Sequence, residues 1–150
     1  MDKRTPGFFA DQDGILEIVV ASGGSPSAEF RFIHADYRDE LDLPAASFDL
    51  LVSLYAGFVS EHCTDYLKVG GTLLVNPSHG DVAMASIDPR YELSGVVVSR
   101  AADYRVRTGN LSTYLVPKTP VDVTPAMLHD RGRGVAYTKS PYAYLFSRIV

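Results

Sequence analysis

The chain has one cysteine, Cys63, in 150 residues. With no second thiol it can neither close an internal disulfide nor share a thiolate zinc site, a pattern that fits a reducing compartment. Long apolar runs are missing too. The most hydrophobic stretch, Phe48 to Val59, is interrupted by Asp49 and Ser53 and falls far short of a bilayer span, and the charged N-terminus has no apolar signal core behind it. These absences read as a cytoplasmic chain without a membrane partner. Asn110-Leu111-Ser112 matches a glycosylation acceptor, which in that setting is a chance match. Nor is there a block of one charge. The net charge is -4 and Lys and Arg are scattered along the sequence, which offers no electrostatic footprint for nucleic acid. Repeats and low-complexity tracts are also lacking.

What is present is the balance of one ordinary globular domain, 46% hydrophobic and 21% charged, long enough to bury a real core. Ser22 to Ser27, rich in Ser and Gly, is a flexible joint. Phe30 to Ala35 has the β-branched and aromatic content of a strand, and Phe48 to Ser53 is the next. Apolar residues Phe58, Val59, Cys63, Tyr66 and Leu67 recur at three-to-four spacing, predicting a helix over 58–68 that Gly70-Gly71 stops. A strand over 71–76 follows. Strand, helix, strand implies a parallel pair with a right-handed crossover, so that both strands end on one edge of the sheet. A short helix over 81–87 has Asp81 as its cap and Pro89 as its limit. Tyr91–Arg100 and Tyr104–Val116 read as strands, and Thr124-Pro125 opens a helix ending near Gly132. The final strand is 143–150. The segment Phe8 to Ala21 reads either as a helix or, from its Ile-Val-Val content, as a strand.

The stretch "YLKVGGTLLVNPSHGD", Tyr66 to Asp81, raises polarity abruptly behind a buried-type strand. In open α/β sheets ligands sit beyond the carboxyl ends of such strands, so Asn76 to Asp81 reads as the rim of a site. His79 is the candidate base there, against the alternative of a rim residue satisfied by its neighbours. Asn76-Pro77-Ser78-His79-Gly80 also has the position of a nucleophile elbow, with Asp103 or Asp122 and then His129 downstream. Asn76 and Pro77 depart from the small residues that such an elbow demands. A serine hydrolase using Ser78 is therefore an alternative function. Tyr55, Tyr104 and Tyr114 line a substrate cavity or pack. His34, His62 and His129 lack metal-ligand spacing, so no metal site is assigned.

"FIHADYRDELDLPAASFDLLVSLYAGFVSEHCTDYLKVGGTLLV", Phe32 to Val75, resembles the second half of class I S-adenosylmethionine-dependent methyltransferases. That family reads apolar strand, Asp, Leu-Pro, Phe-Asp-apolar-apolar, helix, Leu-Lys-x-Gly-Gly, apolar strand. The close match covers about a third of the chain, with a late helix and a final strand where the family has its antiparallel hairpin. The resemblance implies an α/β fold, a partial Rossmann-like methyltransferase sheet with a parallel centre and antiparallel C-terminal strands. It implies S-adenosylmethionine as cofactor and a small-molecule methyl acceptor. Asp36 would meet the adenine amine, Tyr37 would present its backbone N–H to the ring, and Ser53, Leu54 and Tyr55 would border the reactive methyl. For Asp36 the alternative is a turn carboxylate. Asp49 resembles an acid of the family that is read here as structural.

The family's glycine-rich turn and the acidic residue that holds the ribose would precede Phe30. Only 29 residues stand there, where two strand–helix units need roughly 40. The expectation is a single methyltransferase-like domain, truncated at its N-terminus, that binds cofactor weakly or not at all. A non-catalytic binding or dimerisation domain is the other alternative. The family's first strand would lie beside Phe48–Ser53, so its absence predicts a free edge there, closed by the Phe30 strand, by Ile15 to Val20, or by a second chain; the expectation is a homodimer in which the N-terminal segment takes part, the Ser22 to Ser27 joint permitting exchange between protomers.

Overall fold

The computed structural model describes residues 3–150, which divide into two compact units, one ending at Asp36 and one spanning Tyr37–Val150. The first unit carries α1 (Thr5–Ala10) and α2 (Gln12–Ala21). Two local signals settle the open choice between helix and strand for Phe8 to Ala21. The Asp11 carboxylate accepts from the Gly14 N–H at 3.0 Å, and at the other end Gly23 (φ +85°) and Gly24 donate back to the Val20 and Val19 carbonyls. A capped start and a Schellman stop fix the helix against the β preference of Ile18, Val19 and Val20. Neither helix contains a buried residue. Phe9 stacks on Phe32 at 4.6 Å, and the stretch 30–35 runs without strand structure. The strand expected there is therefore absent: its apolar residues pack as side chains and its backbone joins no ladder.

The second unit is a mixed five-stranded sheet, curled into a half-barrel, in the order β1-β2-β5-β3-β4. Its strands are β1 (Phe48–Ser53), β2 (Leu67–Val75), β3 (Tyr91–Arg100), β4 (Asp103–Arg107) and β5 (Ala143–Arg148). Only β1 and β2 are parallel. The other pairings are antiparallel, because β5 inserts between β2 and β3. The helices are α3 (Val59–Cys63), α4 (Asp81–Ile87) and α5 (Pro125–Arg131). α5 starts as its sequence dictates: Thr124 accepts from the Met127 N–H, Pro125 fills the first turn, and Gly132 (φ +58°) closes it.

Two expected elements are much shorter. The helix over 58–68 stops at Cys63, tightens to a 3-10 turn over Thr64–Tyr66, and gives way to β2 at Leu67. Gly70-Gly71 is not its stop. It forms an irregularity in β2, where the pairing jumps from Phe48↔Leu67 to Leu50↔Thr72 and Gly70 takes φ +83°. The strand expected over 104–116 ends at Arg107, and Leu111–Leu115 is a 3-10 turn.

The two faces of the sheet differ. Leu73, Val75, Tyr144, Phe146 and Val96 point to one face and are at most 1% exposed, packed with Val82, Met84 and Leu128 from α4 and α5. The opposite face carries Leu50, Val52 and Val106 at its two edges, each about half exposed. The β3–β4 turn is Ala101-Ala102, with φ of 50° and 64°. A two-residue hairpin with both central residues left-handed is normally built from Asn-Gly, because a Cβ there costs about 1–2 kcal/mol per residue. Replacing Ala101-Ala102 by Asn-Gly should raise stability in urea denaturation by about 1–2 kcal/mol.

Candidate functional site

The parallel pair places the carboxyl ends of β1 and β2 side by side, with Ser53 paired to Val75. Two loops leave this edge, and the Asn76 side chain ties them together by accepting from the Tyr55 N–H at 3.0 Å. Tyr55 and His79 both have left-handed backbones, at φ 54° and 58°. Such conformations at non-glycine residues are costly and gather where a surrounding structure imposes them. Tyr55 is 71% exposed, and His79 is exposed, its side chain without a hydrogen-bond partner among the described residues. The second loop is pressed against the segment before Val135. A Cβ on Gly134 would lie 2.9 Å from the Pro77 carbonyl oxygen and 3.1 Å from the Gly80 Cα, so only glycine fits.

Beneath this rim lies a buried polar brace. Asp81, 1% exposed in the first turn of α4, accepts from Ser53 Oγ and Ser60 Oγ, each at 2.5 Å, and from the Ser60 N–H at 3.1 Å. Its carboxylate is therefore not the cap of α4; Gly80 occupies that position without a side-chain bond. The chain of bonds continues from Ser60 to Thr64, whose Oγ1 donates to the Ser60 carbonyl and pairs with Tyr91 Oη at 2.7 Å. Burial raises the Asp81 pKa, opposed by the hydroxyls of Ser53 and Ser60. Burial, and secondarily the Asp81 charge, push the Cys63 thiol up as well.

The residues singled out from sequence fall unevenly around this geometry. Ser53, Leu54 and Tyr55 come to the rim together with Asn76 and His79. The Ser53 side chain, at 1% exposure, faces the brace. Tyr37 packs beneath the first loop: its Oη accepts from the Phe58 N–H at 3.2 Å, and its ring meets His62 edge-on at 5.7 Å. Asp36 belongs to the first unit. Asp49 holds Lys68 at 2.7 Å on the surface. His129 is bonded to Glu61 at 2.9 Å and Asp103 to Arg105 at 2.7 Å, so neither serves Ser78. Among the described residues no three of His, Cys, Asp and Glu form a metal-binding group, and no helix is long and apolar enough to cross a membrane. Sequence reading missed Ser60 and the role of Asp81. Their spacing carries no motif, since the brace exists only once α3 and α4 meet.

Compared with family models, curated proteins and solved structures, the chain matches none.

The brace sets a pH dependence. Because the native Asp81 binds its proton more tightly than an ordinary carboxyl at 3.8, stability from this group is fully present below 3.8. It is lost as pH rises through the native value, and is flat beyond. In Asp81→Asn this falling component should vanish from urea midpoints measured across acidic pH. Asp81→Ala, which strands two buried hydroxyls, should cost about 3 kcal/mol in acid, where the Asp81 contribution is fully present, and less once pH has risen through the native value.

Proposed function

We propose that residues 37–150 are a methyltransferase-type domain that uses S-adenosylmethionine and a small-molecule methyl acceptor. The observation that carries this reading is the parallel β1–β2 pair, whose carboxyl ends present Leu54, Tyr55, Asn76 and His79 on one rim. The late helix α5 and the antiparallel β5 fit the outline of the Phe32–Val75 resemblance. With the Ser53 hydroxyl committed to Asp81, cofactor contact at this rim falls to Leu54, to Tyr55 and to exposed backbone. The cofactor supplies an activated methyl group. The chain aligns the acceptor with it, and His79, exposed beside the rim, takes the acceptor's proton where one must leave. Binding is weak, since Leu54, Tyr55 and exposed backbone offer the cofactor few polar contacts at this rim. Titration with S-adenosylhomocysteine, followed by amide NMR, should give a Kd of order ~1 mM. Fast-exchange shifts should appear at Tyr37, Leu54, Tyr55, Asn76 and His79. Shifts elsewhere only, or none, would overturn the reading.

Association is part of the same proposal. β1 ends the strand order, 30–35 forms no strand, and Ile15 to Val20 lies in α2, so no described segment of this chain pairs with the outer edge of β1. Leu50 and Val52 expose apolar surface at that edge. Pairing with a second copy covers both. Light scattering after sizing should give a dimer for the whole chain and a monomer for Leu50→Lys/Val52→Lys. A monomeric parent chain would refute the pairing.

A further inference from the structure

The low net charge hides an uneven distribution of charge along the chain. Arg100, Arg105, Arg107, Lys118, Arg131, Arg133 and Lys139, half of the 14 Lys and Arg, fall between 100 and 139, where only Asp103, Asp122 and Asp130 oppose them. The remainder of the chain holds the other acids, so the net charge of -4 conceals a cationic segment. In the β3–β4 hairpin Arg100 pairs with Asp103, Val98 with Arg105 and Val96 with Arg107. Side chains alternate across a strand, so all three arginines stand on one face, beside Val96 and Val98. They line a cavity of about 490 Å³ whose floor includes Tyr114. A second cavity of about 410 Å³ shares Arg107 and Tyr114 and adds Asn110 and Lys139. The two adjoin at these shared residues as a groove, and each lies within the size range of small-molecule sites.

The groove is built on fixed parts. The Tyr114 carbonyl accepts from Tyr144 Oη at 2.9 Å, and Tyr144 is fully buried. Lys139 Nζ donates to Thr113 Oγ1 at 2.8 Å and sits 4.9 Å from the Tyr114 ring centre, a cation–π distance. Arg105 is held by Asp103 at 2.7 Å. The Arg100 and Arg107 side chains make no hydrogen bond or ion pair among the described residues. The strained Ala101-Ala102 turn keeps Arg100 opposite Asp103. Charges that merely guard an edge strand require neither a concavity nor a lysine brought from a remote segment.

We propose that this groove binds a small molecule carrying a phosphoryl group. Three guanidiniums and an ammonium against one carboxylate leave a charge that a single carboxylate ligand would not neutralise. A phosphoryl group comes closer, a diphosphoryl group closer still, and the oxygens of either match the guanidinium fork. β3 runs parallel to β2, so Arg100 lies toward the sheet edge where Ser53 and Val75 end. The inference stands independently of the methyl-transfer reading. Calorimetry of the whole chain with inorganic pyrophosphate at low salt tests it without any cofactor. Saturable binding is expected, weakened about tenfold or more by Arg107→Gln and by Arg100→Gln, with Lys68→Gln as an unaffected control. Far-UV circular dichroism confirms that each variant is folded. Absence of saturable binding, equal losses in the control, or no loss in the arginine variants overturns the site. Citrate binding as tightly as pyrophosphate overturns the phosphoryl assignment.

Discussion

A single buried carboxylate organises this protein. Asp81 draws the end of β1 through Ser53, the start of α3 through Ser60, and the first turn of α4 into one point. Burying a carboxylate costs free energy unless donors surround it. Here two hydroxyls and a backbone amide do so, and no buried side-chain polar atom among the described residues lacks a partner. The brace fixes where the strand-end loops emerge, and Asn76 then joins those loops through the Tyr55 amide. The exposed rim, with its left-handed Tyr55 and His79, rests on that support. Strain at the surface is sustained by satisfied polarity below it.

The sheet is asymmetric in a way that bears on association and recognition. One face is sealed by Val82, Met84 and Leu128. The other leaves Leu50 and Val52 on β1, and Val106 on β4 at the far edge, about half exposed, and neighbouring apolar residues such as Leu50 and Val52 on an open strand edge favour contact with another chain. At the β4 edge the faces differ in chemistry as well. Tyr104 and Val106 take one side, while Arg105 and Arg107 take the other. A period of two residues thus turns a five-residue strand into an apolar edge and a cationic wall.

Much of the fold was legible in sequence because it depended on local rules. β1, α4, β3 and α5 follow from apolar runs, a Thr-Pro start, and Gly or Pro stops. The failures have particular causes. Phe30 to Ala35 has strand composition, yet Phe32 stacks on Phe9 and no neighbouring strand accepts its backbone. Propensity describes a side chain's fit to a pleated surface and cannot supply the partner. Gly70-Gly71 looks like a helix stop but works as a break in β2 register, because Leu67, assigned to the helix face, is buried instead at the head of a strand. The candidate site was legible as a place, from the polarity rise after Val75. It was not legible as a set of bonds.

The sequence alone determined the class of elements, the parallel pairing of the Phe48 and Thr72 segments, and the position of the rim, since each rests on residues within one or two turns or strands of one another. Tertiary structure alone decided that Asp81 faces Ser53 and Ser60 and leaves α4 uncapped, that Tyr114 and Lys139 meet the hairpin arginines, and that scattered cations share one groove. Those contacts join residues far apart in the chain. No local propensity encodes them, because their free energy appears only when the segments that carry them are packed together.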